Sequence, residues 1–232
     1  MALRTIATLC LALFALAAVP GSAPAQRGPA RATHDWTSVA ARTPEGGVRL
    51  GNPAAPIKLV EYFSTTCPHC AALARESRPA IMAQIRSGRL SLEYRNYVLN
   101  GYDMAASAVS RCAAPRSYVA MTEELLGTQD AWMGRINALT QAQRESLRGL
   151  PPLQAVQQLV ALLGLDVIAA RHGVAPAIQR TCVNQAALAQ LAAMEQAAEQ
   201  NFQVQATPTF LLNGRSIGTQ NWATLEPRLR GN

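Results

Sequence analysis

The sequence predicts an α/β fold interrupted by a long helical insertion, on three observations. First, Ile57–Phe63 is a short, mostly apolar run bounded by Pro56, the pattern of a central strand buried on both faces. It is followed by helix formers and then by an alternating segment from Leu90 to about Val98, which completes a βαβ unit. Second, residues from Asp103 to about Gln200 carry helical spacing with Pro and Gly punctuation. Third, strand pattern returns at Thr209–Leu212. There Asn213-Gly214 marks a hairpin, with Arg215–Gly218 as the return strand and residues 221–230 as a closing helix.

In chain order, the first residues read as a signal peptide over 1–25. Arg4 supplies its charge, and Thr5–Val19 is an apolar stretch too short to span a bilayer. Pro20-Gly21 breaks the stretch, and Ala23-Pro24-Ala25 is the cleavage pattern. Cleavage removes Cys10 and leaves 207 of the 232 residues, enough for a sizeable core. Residues 26–36 read as a disordered Pro/Ala/Arg leader. A strand-like piece over 37–42, a turn at Pro44–Gly47 and a second piece over 48–50 make an edge hairpin.

The helix after the central strand should run to about Arg86, kinked at Pro79 and stopped at Gly88. Candidate helices of the insertion lie over 104–113, 117–126, 141–147, 154–163 and 166–172, with breaks at Pro151-Pro152, Gly173 and Pro176. A last, longer helix opens at Asn184. The division is thus a first α/β half over 37–101, an inserted helical domain over 102–183 and a second α/β half over 184–232.

The formal net charge is +7, and 20 of the 21 basic residues are Arg, scattered without a basic run or interleaved aromatics. That is a solvated basic surface and argues against nucleic-acid binding.

The chemistry concentrates at Cys67-Pro68-His69-Cys70, where the buried strand turns into a helix. Pro68 suits the first helical position, which makes Cys67 the N-cap. Its sulfur then faces unpaired N–H groups and the positive end of the helix dipole, at an exposed position. Both favour the thiolate, the reactive form. His69 adds a further N–H and a side chain that can carry positive charge. Cys70, one turn further in, can close a disulfide onto Cys67. A zinc site would need a second Cys or His pair, and none is present. Covalent haem would need His where Ala71 stands. An inert structural disulfide remains as an alternative. The four cysteines left after cleavage, Cys67, Cys70, Cys112 and Cys182, are an even count that suits two disulfides in an oxidising compartment.

Glu61 lies six residues before Cys67 in a strand that should be buried. It is either a buried acid with a task or a strand-edge residue facing solvent. Pro208 has no N–H to offer, and on its own it reads as an ordinary trans turn proline. His34 and His172 read as surface residues, and Trp36, Trp132 and Trp222 as packing residues.

Taken together, these stretches resemble the thioredoxin fold, and the resemblance covers about residues 37–230. The helical insertion and the Pro68-His69 dipeptide are similar to those of DsbA-like enzymes. The resemblance implies a cis proline at Pro208 packed beside the active-site pair, with Thr207 and Pro208 binding substrate. It also implies a proton-shuttling role for Glu61 beneath that pair. Thr207 stands where the best-known DsbA enzymes have Val, and Thr also occurs there in disulfide isomerases.

The implied activity is that of an exported, periplasmic thiol:disulfide oxidoreductase that introduces disulfides into folding proteins. Its partners would be reduced, unfolded exported proteins and a quinone-linked membrane reoxidant of DsbB type. No cofactor, metal or nucleic acid is implied, and a monomer is expected. The alternatives are a reductase or isomerase of the same fold, and a non-enzymatic thioredoxin-like binding or chaperone module. Some DsbA-like proteins carry a second disulfide in the helical domain. By that resemblance Cys112 and Cys182 pair, the alternative being two buried free thiols.

Overall fold

The structure, a computed structural model, describes Met1 and residues 34–230. The remainder of the expected signal peptide, and the leader up to residue 33, lie outside the described residues. Six strands make one mixed sheet in the order β1-β2-β4-β3-β5-β6. They are β1 (Ala40–Arg42), β2 (Val48–Gly51), β3 (Ile57–Phe63), β4 (Leu90–Asn96), β5 (Thr209–Leu212) and β6 (Arg215–Thr219). β3 lies inside the sheet, parallel to β4 and antiparallel to β5. All its residues except Lys58 are buried, as expected of a strand covered on both faces.

The strand period of two divides these residues between the faces. Leu59, Glu61 and Phe63 share one face with Leu92 and Tyr94. The apolar members of that set join the main core beneath α1 (Pro68–Arg86). Within α1, Leu73, Ile81 and Ile85 are buried, and each contributes about 2 kcal/mol of transfer free energy. Val60, Tyr62 and Leu211 point the other way, into a smaller cluster with Ala198, Val204 and Phe202. Ala198 and Phe202 belong to α9 (Gln185–Phe202), which Asn184 caps by accepting from the Ala187 N–H.

β4 alternates apolar and polar residues, and all seven of its residues are buried. Glu93 and Arg95 are satisfied internally. Arg95 Nε donates to Glu93 at 2.7 Å and Nη1 to the Tyr62 hydroxyl at 3.1 Å, and Thr43 Oγ1 donates to Glu93 at 2.7 Å. Paired this way, the charges avoid most of the cost of burial.

The insertion is built from α2 (Gly101–Ser110), α3 (Pro115–Gly127), α4 (Gln129–Asn137), α5 (Gln141–Arg148), α6 (Pro152–Leu162), α7 (Leu165–Arg171) and α8 (Pro176–Cys182). Two of these elements depart from expectation. The sequence reading contained no helix over 129–137, and Pro176 opens a helix where a break was expected, since a first-turn proline costs no hydrogen bond. The strand-like piece over 37–42 is likewise only half strand. Asp35 accepts from the N–H and hydroxyl of Thr37 and winds Trp36–Ser38 into a 3₁₀ turn before β1. Pro79 sits inside α1, whose span is continuous from Pro68 to Arg86. At the β5–β6 turn, Asn213 and Gly214 have φ of 50° and 82°, the paired positive values that an Asn-Gly hairpin requires. The closing helix is α10 (Trp222–Arg230), with the side chain of Asn221 accepting from the Thr224 N–H.

Candidate active site

β3 ends at Phe63, and the turn Ser64–Cys67 carries the chain into α1. Cys67 is the N-cap in extended conformation (φ −80°, ψ 119°), with Pro68 as the first helical residue. The two cysteines are unbonded thiols. Cys70 is fully buried, and Cys67 is only 6 % exposed. That corrects the expectation of an exposed N-cap. Its sulfur lies against the Thr207 carbonyl, and the exposed part of the motif is Pro68-His69.

Burial normally disfavours a thiolate. Cys67 nevertheless sits at about 5, far below the ordinary thiol value. The largest cause is the hydrogen bond from the Cys70 side chain. Smaller contributions come from the Thr207 side chain and from the N–H groups of Cys70 and His69. As a thiol, Cys67 donates to the Thr207 carbonyl at 3.3 Å. Thr207 Oγ1 is buried without a hydrogen-bond partner among the described residues and can donate to the sulfur once the thiolate forms. Cys70 goes the opposite way. Burial pushes its thiol well above the ordinary value, helped by its bond to Cys67 and by the charge of Glu61. The pair is thus split into one stable thiolate and one reluctant one. His69 contributes its backbone N–H, and its imidazole is exposed to solvent.

Glu61 is buried and sits on the α1 face of β3, opposite Tyr94 in the register. Desolvation, and secondarily the charge of Cys67, raise its carboxyl to about 8. It borders a cavity of about 100 Å³ that Tyr94, Arg78 and Glu123 also line, and Arg78 and Glu123 are ion-paired there. The strand-edge reading is thereby excluded: this is an acid that holds its proton near neutrality, coupled to both sulfurs. The Thr207–Pro208 peptide is cis, and Pro208 is buried.

Sequence reasoning missed the residues that hold the turn. Asp103 of α2 accepts from the Thr65 N–H at 2.9 Å and from its hydroxyl at 2.5 Å. Asn100, the α2 N-cap, donates to Thr66 Oγ1 at 3.0 Å. Gln129, the first residue of α4, donates to the carbonyls of Thr65 and Cys67. No motif marks them, since each is an ordinary polar residue in a helical segment. The one local signal was Asn100, a preferred cap residue before a helix.

Cys112 and Cys182 are joined by a disulfide with Cα atoms 5.7 Å apart, across a sequence separation of 70. Cys112 lies two residues past α2, and Cys182 ends α8. Closing a loop of that length is worth about 4 kcal/mol in the chain-entropy picture. A Cys112→Ala/Cys182→Ala double variant should therefore lose up to about 4 kcal/mol in denaturant unfolding while Cys67 keeps its reactivity. Loss of Cys67 reactivity in the folded variant would contradict the separation of the two pairs.

His172 is not a surface residue. Its Nε2 lies 2.6 Å from Glu124 Oε2, its side chain is 16 % exposed, and Arg171 also pairs with Glu124. His34 is exposed, with its ring edge against Trp36. Trp132 is buried, and Trp36 and Trp222 pack partly buried on the core. Among the described residues, no group of three or more His, Cys, Asp or Glu side chains is arranged to hold a metal ion.

Residues 43–229 match a family model described as thioredoxin. Curated proteins of Rickettsia provisionally named protein-disulfide oxidoreductases are similar. The Rickettsia typhi protein is 30 % identical over 98 residues, which is 41 % of this chain and 36 % of that one. The Rickettsia conorii protein is 25 % identical over 183 residues, 76 % of this chain and 56 % of that one. The chain thus spans between a third and somewhat over half of these relatives. Among solved structures, a protein-disulfide isomerase from Novosphingobium aromaticivorans superposes with a TM-score of 0.72 at 28 % identity, over 79 % of this chain and 95 % of that one. Wolbachia pipientis alpha-DsbA1 shares the fold, with a TM-score of 0.62 at 21 % identity over 79 % of this chain and 88 % of that one.

Proposed function

The chain belongs to the thioredoxin family, and from that premise we propose that it is an exported thiol:disulfide oxidoreductase that introduces disulfides into folding proteins through Cys67 and Cys70. The observation that carries the proposal is the split pair, with Cys67 at about 5 and Cys70 far above the ordinary thiol. A disulfide whose reduced form contains a stabilised thiolate gives up that stabilisation when it forms, so it is oxidising.

The cycle starts from the Cys67–Cys70 disulfide. A substrate thiolate attacks Cys67 Sγ, and the bond to Cys70 breaks. The electron pair leaves on Cys70 Sγ, a poor leaving group unless protonated, and protonated Glu61 supplies the proton. The second substrate thiol loses its proton and attacks the substrate sulfur of the mixed disulfide. Cys67 then leaves as the favoured thiolate, and Glu61 regains a proton. Two substrate thiols become one disulfide, and the enzyme pair takes up the two electrons. The backbone at Thr207, beside the sulfur, is where an extended substrate segment would pair. Reoxidation requires an electron acceptor, which we assign to a quinone-linked membrane partner of DsbB type. The periplasm, with reduced exported proteins as substrates and a monomeric enzyme, is the setting this chemistry suits.

A second reading, disulfide isomerase, is favoured by one observation, the likeness to the Novosphingobium protein named a protein-disulfide isomerase. Oxidised enzyme mixed with a reduced two-cysteine protein separates the readings. The proposal expects one substrate disulfide formed per enzyme molecule reduced. Rearrangement of scrambled disulfides without net oxidation would favour the isomerase, and insulin reduction with neither would favour a reductase.

A further inference from the structure

We propose that the helical insertion positions the Cys67 thiol, and that Gln129 is the positioning residue through which it does so. The inference rests on the thiol:disulfide reading above, but its test does not require activity.

Gln129 is 5 % exposed. A buried amide is costly unless its polar atoms are bonded. Its Nε2 carries two protons and directs both at the turn that bears Cys67, to Thr65 O at 2.8 Å and to Cys67 O at 3.0 Å. Cys67 O is also the acceptor of the first α1 hydrogen bond, from the Ala71 N–H at 3.1 Å. A side chain of α4 therefore grips the carbonyl that starts α1, on the same residue as the reactive sulfur.

The turn has little else of its own. Within it, the Cys67 N–H reaches Ser64 O at 3.3 Å and the Thr66 N–H reaches Ser64 Oγ at 3.1 Å. Apart from the Cys67 sulfur, which donates to Thr207 O, its other anchors again come from the insertion: Asp103 on Thr65 and Asn100 on Thr66. Three consecutive residues, Thr65, Thr66 and Cys67, are thus each tied to the inserted helices. Of these ties, only the one from Gln129 reaches the cysteine itself.

The consequence is directional. The sulfur is stabilised by N–H groups of His69 and Cys70, and such bonds weaken steeply with misalignment. Without Gln129, the Thr65 carbonyl loses its donor and the Cys67 carbonyl keeps only the Ala71 N–H, so the Thr65–Cys67 backbone can rotate the sulfur off the His69 and Cys70 N–H groups. A purely structural Gln would cost stability when replaced, but it would leave the ionisation of Cys67 unchanged.

The test follows the thiolate absorbance of the reduced full-length protein against pH. Gln129→Met keeps the length of the side chain and removes both donors. It should raise the Cys67 midpoint by about one pH unit, so that the thiolate fraction well below both midpoints falls about tenfold. Alkylation of Cys67 in mildly acidic buffer should slow by the same factor. Gln129→Leu, the second variant should Gln129→Met not fold, also removes both donors without adding charge and should raise the midpoint by a similar amount. Met133→Ala, on the same helix and packed on the core, should lower the melting temperature and leave the midpoint in place. Unmoved midpoints in the Gln129 variants, or an equal shift in Met133→Ala, would overturn the inference and leave the oxidoreductase reading standing. Failure of the wild-type protein to oxidise a reduced protein would defeat that reading without altering the comparison of midpoints.

Discussion

Cys70→Ala should accumulate covalent complexes with exported proteins, seen as reductant-sensitive bands on non-reducing gels, and Cys67→Ala should accumulate none. The reason is geometric as well as electronic. Cys67 lies beneath the exposed Pro68-His69 face with its sulfur against Thr207, whereas Cys70 is fully enclosed. A substrate can reach the first sulfur and not the second. In the intact protein, Cys70 reverses any unproductive mixed disulfide from within the molecule. A built-in thiol held beside its target competes at an effective concentration far above that of any thiol in solution. Removing it should lengthen the life of the complex by about 10³-fold or more. Equal trapping by the two variants would overturn the assignment of roles.

Glu61→Gln should slow the protonation step at Cys70 by about 10²-fold while making the fold more stable at neutral pH. The two effects have one cause. Burial raises the Glu61 carboxyl from 4.5 to about 8. Between those values the native protein holds a proton that the unfolded chain has released. Native stability contributed by this group is therefore highest below 4.5 and is lost as pH rises toward 8. In the oxidised protein Cys67 carries no charge, so the upper limit of this window lies below 8, and the loss by neutral pH is up to about 3 kcal/mol. Oxidised Glu61→Gln should show none of this fall and should match the wild type in acid. The same substitution removes the proton that Cys70 needs as it leaves. A variant as fast as the wild type would mean that water or another group carries that proton.

Much of the site was legible because its signals are local. Seven mostly apolar residues, followed after Ser64–Thr66 by Cys-Pro-His-Cys, place a buried strand against a helix N-terminus, and the structure has β3 and α1 there with Cys67 as the N-cap. Asn213-Gly214 fixed the β5–β6 hairpin because only residues tolerant of positive φ fit that turn. What escaped depends on partners distant in the chain. Nothing near Glu93 and Arg95 in sequence shows that Thr43 and Tyr62 satisfy them. Cys67 read as exposed because Gln129, 62 residues away, carries no motif, and Thr207, 140 residues away, is placed near the pair only by resemblance. The helix that carries Gln129 is short, has Gly134 in its interior and buries only Gln129 and Trp132, too little for an apolar period to show.

The central claim is that the split between Cys67 and Cys70 makes this pair an oxidant. The reduction potential of the Cys67–Cys70 couple, measured by equilibration with glutathione while Cys112–Cys182 stays intact, tests it most directly. A Cys67 thiolate already formed at about 5 predicts a potential well above that of thioredoxin, toward the value of about −120 mV of DsbA enzymes. A potential at or below about −270 mV would contradict the claim and make the protein a reductase.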